Sequence, residues 1–283
     1  MIRYFIDDDQ KLRLEQVEKM PTVYLDHWAL RHISTTEEIR TQFIKRMFDS
    51  GGTLMLSWLN LVEFTKVTDR SQTKAAEQLV DELLPNVFFM EIEPFKVIKR
   101  EDELLAGGVP KPPHADIDFL KTFDELNHNS LYPSFTAQSL FSAFHGSNIF
   151  SEFDNLADMI IGRIEAMRTE FDTDPGLQSI IRRAPKGQFI QQGTRYILRE
   201  LTRTFLVDRP LKISRNNAID LLHSVVPVAY CDFVLLDAHW TGQVDKMRTR
   251  LAKANLNIPV ARVFSKKSNG LNDLLYALKE NHN

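Results

Sequence analysis

Cysteine is nearly absent. Cys231 is the only one in 283 residues, so an intrachain disulfide and a cysteine-based zinc site are both excluded, and a reducing compartment is expected. Glycine and proline are also sparse, at 11 and 12 residues, which excludes collagen-like and linker-dominated chains. No stretch approaches the roughly 18 uncharged apolar residues of a membrane span. The opening MIRYFIDDDQKLR sets three aspartates where a secretion signal needs an apolar run, so a cytoplasmic protein with no membrane partner is expected. Neither a repeat nor a low-complexity tract occurs, which removes solenoids. Neither sign of charge dominates: 35 Lys and Arg oppose 38 Asp and Glu, which argues against a uniformly basic nucleic-acid wrapper.

What is present is core material. Hydrophobic residues make up 43% of the chain, enough at this length for one large domain or two smaller ones. Thr22 to Asp26 is a short β-prone run after Pro21, and it ends on an acid. Thr36 to Asp49 sets Ile39, Phe43, Ile44, Met47 and Phe48 at helical spacing, and Gly51-Gly52 closes that helix. Thr53 to Leu56 reads as a buried strand, followed by Ser57, a helix cap, and a helix through WLNLVEFTKVTD. Val87 to Ile92 is a further strand, bounded by Pro85 and Pro94. This alternation favours a parallel sheet with helices on its faces.

The pattern changes after Phe95. A Gly- and Pro-containing loop, GGVPKPPHADID, leads into a stretch rich in Phe, Ser, His and Asn, then helices at 154–171 and 193–206. The strand and helix alternation returns with a helix over 216–229, which Pro227 is expected to kink or trim, and a strand at Phe233 to Leu236 closed by Asp237. A last strand over 258–264 and a helix, LNDLLYALKE, finish the chain. The sheet unit is therefore discontinuous, residues 1–95 and 210–283, with a mostly helical insertion at 96–209.

Four acids occupy related positions: Asp26 and Asp237 at strand ends, Glu63 within a helix, and Asp220 near a helix start. The carboxyl ends of parallel strands are where open α/β sheets bind ligands, so Asp26 and Asp237 are expected to face one crevice. Carboxylates crowded together need a cation or a proton to offset their repulsion, and hard cations such as Mg²⁺ or Mn²⁺ take oxygen ligands. Glu63 lies among Leu59, Val62 and Val67, where a charge needs a partner.

The phrases TVYLDHWAL, LMLSWLNLVEF and AIDLLHSVVPVAYCDFVLLD, in that order, resemble the first-strand Asp, helix Glu and late acidic segment of PIN-domain ribonucleases. The resemblance covers about 150 residues and leaves the insertion aside. It implies a three-layer α/β/α sandwich with a central parallel sheet, and a Mg²⁺- or Mn²⁺-dependent endoribonuclease that hydrolyses RNA. It assigns metal-site roles to Asp26, Glu63, Asp220 and Asp237, with Asp232 as a fifth candidate. Members that act as toxins of toxin-antitoxin pairs lack so long an insertion, which would serve substrate grip or contact with a protein partner or inhibitor. A non-catalytic RNA- or protein-binding module and a DNA-directed nuclease are the alternatives.

Other residues flank this set. His27 and His223 are either phosphate contacts and proton donors or packing histidines, and Ser57 is a cap or a phosphate contact. Basic residues gather between Arg182 and Arg215, including Lys186 and Arg209, for a local charge of +7. Arg195, Arg199 and Arg203 recur every four residues and form a helical stripe, suited to an RNA backbone or to a solvated helix face. Lys266 follows the last strand as a further phosphate contact or a loop residue. Phe119, Phe123, Phe135, Phe141, Phe144, Phe150 and Phe153 could stack bases or form core, and Asp7-Asp8-Asp9 reads as a surface turn.

Overall fold

A computed structural model of the chain describes residues 1–6, 8, 12–66, 69–108, 112–119, 121, 136–138, 141, 149–183, 193–208, 211–267 and 269–280. Ile2–Ile6 (β1) and Leu12–Gln16 (β2) pair as an antiparallel hairpin that the sequence reading did not anticipate. The other strands are Thr22–Leu25 (β3), Thr53–Leu56 (β4), Val87–Phe89 (β5), Phe233–Leu236 (β6) and Arg262–Ser265 (β7). They form one parallel sheet in the order β5-β4-β3-β6-β7. The hairpin covers the β5 edge, where the Gln16 side-chain amide donates to the Phe89 carbonyl at 3.0 Å and accepts from its N–H at 2.9 Å.

The helices, in chain order, are His27–Thr35 (α1), Glu37–Ser50 (α2), Trp58–Lys66 (α3), Arg70–Leu83 (α4), Pro94–Leu105 (α5) and Ile149–Thr173 (α6). They continue with Pro175–Arg182 (α7), Gly193–Val207 (α8), Arg215–Tyr230 (α9), Ala238–Lys253 (α10) and Gly270–Glu280 (α11). Gly51 ends α2 at φ 66°, a left-handed position that glycine adopts without steric cost.

Two strands are shorter than expected, for identifiable reasons. Beyond Phe89 the chain leaves its partner, and Met90 bridges Ala115 instead. Before Arg262 the Ala261 N–H donates to the Val228 carbonyl of α9 and has no strand neighbour. Pro227 does not end α9, whose last turn closes when the Cys231 N–H reaches the Pro227 carbonyl at 2.9 Å.

Both faces of the sheet are buried, and side chains alternate between them as a pleated strand requires. Val23, Leu25, Leu54, Leu56, Phe233 and Leu235 face a core built with α1, α2, α4 and α11. Tyr24, Met55, Phe88, Val234 and Leu236 face the opposite core, with α9, α10 and the helices α6 and α8 of the insertion. The result is a three-layer α/β/α sandwich. Ile160, Ile164, Ile197, Leu201 and Phe205 of the insertion pack in the same core as the sheet, so this segment completes a layer. Among the described residues, no helix is long and apolar enough to cross a membrane.

Candidate active site

Strand order fixes where a crevice can form. The chain builds β4 and β5 on one side of β3 and β6 and β7 on the other, so connections diverge between β3 and β6 at their carboxyl ends. Asp26 and Asp237 follow these two strands. Each is the N-cap of the next helix: Ala29 N–H donates to Asp26 Oδ1 at 3.0 Å, and Trp240 N–H donates to Asp237 Oδ1 at 2.8 Å. The Asp26 N–H also donates to the Leu235 carbonyl at 3.2 Å, which holds the β3 end against β6.

Three more chemically active side chains enter from helices. Glu63 comes from α3, and α9 supplies Asp220 and His223. Ser57 starts α3 in a reciprocal cap: its N–H donates to Asn60 Oδ1 at 2.9 Å, and the Asn60 N–H returns to Ser57 Oγ at 3.5 Å. The Asn60 amide also donates to the Leu25 carbonyl at 3.2 Å, tying that helix start to the end of β3.

The centre of the site is a hydrogen-bonded chain. Glu63 Oε2 lies 3.1 Å from His223 Nε2, the other ring nitrogen bonds the Tyr24 hydroxyl, and Tyr24 reaches Ser57 Oγ at 3.3 Å. Tyr24 and His223 are buried, whereas the Glu63 side chain is 20% exposed. His27 Nδ1 stands 3.8 Å from Glu63 Oε2 and has no hydrogen-bond partner among the described residues, and its ring packs on Phe64.

Electrostatics follow from this crowding. Burial raises the Asp26 carboxyl well above its ordinary range and Glu63 and Asp237 add to the rise, while the Ala29 N–H and His223 oppose it. Asp220 is pushed up to about 6 by burial, with further pressure from Asp237 and Glu63 against relief from His223 and a hydrogen bond to the Trp240 side chain. Burial would raise Glu63 too, yet His223 and His27 bring it below the usual value. Burial would lower His223, but Glu63, Asp26 and Asp220 outweigh it and hold the imidazole protonated to higher pH. His27 moves the other way, lowered by burial despite Glu63. His223 thus acts as the internal counter-charge of the acids.

The donors fit a hard divalent cation in kind, because Asp26, Asp220 and Asp237 supply carboxylate oxygens. Among the described residues, no three His, Cys, Asp or Glu side chains are grouped to hold an ion, and Glu63 is turned to the histidines. Asp232 does not join the others. It lies at the amino end of β6, where its Oδ2 accepts from the Thr22 N–H at 2.7 Å and hydroxyl at 3.0 Å, at the opposite end of the strands from Asp26 and Asp237. Sequence reasoning missed Tyr24, Asn60 and Trp240. Tyr24 carried a signal, since it alternates with Val23 and Leu25 and so must face the other layer.

The stripe on α8 is differently employed than expected for an RNA track. Arg195 pairs with Asp102 at 2.6 Å, while Arg199 donates to the Ile180 carbonyl at 2.8 Å and Arg203 to the Ile181 carbonyl at 3.2 Å. These carbonyls end α7, so the guanidiniums cap a helix terminus. Of the phenylalanines, Phe119 stacks on Phe89, Phe141 packs edge-on to Phe64, and Phe153 meets Trp58 with Lys66 over its ring. Phe123, Phe135, Phe144, Lys186, Arg209, Val67, Asp7, Asp9 and the side chain of Phe150 lie outside the described residues.

Compared with protein-family models, with curated proteins and with solved structures, the chain matches none.

Proposed function

We propose that the chain is a metal-dependent phosphodiesterase that cleaves a nucleic-acid strand, with RNA as the substrate that its PIN-like motifs imply. The observation that carries this reading is the placement of Asp26 and Asp237 at the carboxyl ends of adjacent strands, within electrostatic reach of each other and of Glu63, with Asp220 in reach of Asp237 and Glu63. Like charges gathered in a partly buried crevice are costly until a proton or a cation offsets them, and such clusters concentrate at functional sites.

In this reading Asp26, Asp220 and Asp237, not grouped around an ion as they stand, would have to draw together to hold Mg²⁺ or Mn²⁺, which supplies Lewis-acid charge for water activation and for the leaving oxygen. The chain's own residues do the positioning. Trp240 orients two of the acids, through its backbone N–H to Asp237 and its side chain to Asp220. Glu63 orients His223 through Nε2, and Tyr24 fixes the ring from Nδ1. The protonated imidazole faces Asp26 and Asp220 and restrains their negative charge until substrate arrives.

The test is RNA cleavage by purified protein with Mn²⁺ or Mg²⁺, compared with Asp26→Asn and Asp220→Asn. Loss of one carboxylate is expected to lower the rate by about 10²-fold or more while thermal unfolding stays cooperative. Metal-dependent cleavage that persists undiminished in both variants, or no metal-dependent cleavage by the wild type, overturns the reading.

A further inference from the structure

Beside the carboxylate crevice, on the α1 and α11 flank, lies an open cleft of about 420 Å³ lined by Trp28, Arg31, His32, Thr35, Ile39, Lys266, Asn269, Gly270, Leu271 and Asn272. None of these residues is acidic. Arg31 and Lys266 are exposed, and neither has a carboxylate partner among the described residues. This contrasts with α8, where arginines are engaged by Asp102 and by backbone carbonyls.

The cleft is built into the fold. Lys266 leaves the carboxyl end of β7, its N–H donates to the Leu236 carbonyl at 3.3 Å next to Asp237, and its ammonium stands 5.5 Å above the Trp28 ring. Gly270 is required where α11 starts, because any side chain there would overlap the Ser265 carbonyl. Trp28, Ile39 and Leu271 give the cleft apolar walls, which lower the local dielectric around its two unpaired cations. Trp28 follows His27 directly and Arg31 stands one turn further along α1, so the positive cleft and the acidic crevice are neighbours on one helix.

We propose that this cleft holds the phosphodiester backbone of a single-stranded nucleic acid, through Arg31 and Lys266 with His32, Asn269 and Asn272 as hydrogen-bonding neighbours. The inference rests on the nuclease reading for where the strand leads: a backbone seated here would enter the crevice past His27. Its measurement is separate, because binding is read without turnover.

The experiment uses the full chain in EDTA with a fluorescently labelled single-stranded RNA, followed by anisotropy over a range of salt. The expected result is that Arg31→Gln with Lys266→Gln weakens binding about tenfold and makes the salt dependence shallower by about 1.4, the value for two lost phosphate contacts. Arg31→Lys with Lys266→Arg restores affinity, and Arg195→Gln changes it less than about twofold. Wild-type affinity in the double variant overturns the proposal. So does binding of inorganic phosphate without binding of RNA, or a preference for poly-glutamate over RNA. If the double variant fails to fold, Lys266→Gln alone is measured, with about half the change in slope expected. Loss of RNA affinity in these variants, beside a wild type that cleaves nothing, removes the nuclease reading and leaves the cleft assignment standing.

Discussion

At the scale of single residues, the least exchangeable group in the site is Tyr24. Its hydroxyl serves His223 and Ser57 at once in a region that water does not reach. Tyr24→Phe keeps the ring and removes both bonds, which leaves a buried imidazole nitrogen without a partner. Urea unfolding is expected to show a loss of about 1–3 kcal/mol with an unchanged m value, and a neutral result would mean that the His223 orientation has another source. The positions of Asp26 and Asp237 at strand ends were legible because each closes a short apolar run, and an acid there is also a natural cap for the helix that follows, which is what both residues form. The engagement of Glu63 by His223 was not. That pair joins α3 to α9 across 160 positions of sequence, and no local pattern encodes which carboxylate an imidazole will meet.

Elements tell a second story, about what charged residues are for. The helix α7 is eight residues long, too short to hold itself together, and both its ends are tied. Asp174 accepts from the Gly176 and Leu177 N–H groups at the start. At the finish Arg199 and Arg203 meet the Ile180 and Ile181 carbonyls, and Arg250 meets the Arg183 carbonyl at 2.7 Å. Burial lowers Arg203 from its ordinary value, in keeping with a guanidinium used inside the fold. Arg203→Ala is expected to raise amide hydrogen exchange in Pro175–Arg182 by about an order of magnitude while RNA affinity stays within about twofold. A drop in affinity comparable to that of the Arg31 and Lys266 variants would return α8 to the binding surface. The helical spacing of this stripe was plain in the sequence, but its purpose was not, because periodicity reports a face and never what the face meets. Helix limits were read within a few residues for α2, α8, α9 and α11, where capping and apolar spacing coincide. The hairpin β1-β2 escaped because its second strand, LRLEQ, carries charged residues and no apolar run, and its stabilising contact, Gln16 with the backbone of Phe89, is 73 residues away.

For the whole molecule, stability is expected to depend on pH through a residue outside the acidic set of the site. Asp116 is buried, and burial with the nearby Glu91 charge pushes its carboxyl up to about 7, against help from the Phe119 N–H and Lys96. In the unfolded chain the same group titrates near 3.8. Between these values the native state holds a proton that the unfolded state has released, so stability falls as pH rises from about 4 to about 7. Asp116→Asn has no proton to lose and keeps an oxygen for the Phe119 N–H, so its advantage over wild type should grow between pH 5 and pH 8 in urea titrations. Equal differences at both pH values would remove Asp116 as a cause. The parallel sheet was foreseeable from strand and helix alternation, whereas the sharing of one core by sheet and insertion was not, since composition does not say which apolar faces will meet. The strand order has one more consequence. The central strand β3 lies between β4 and β6, and it is stitched to β6 by Thr22 and Asp232 across 210 residues. Synthesis must therefore run about 200 residues past β3, to Phe233–Leu236, before β3 can gain its second partner, and a nascent chain that has not reached α9 carries Asp26 without Asp220 or Asp237. Whatever chemistry those acids perform waits until both halves of the sheet have been made.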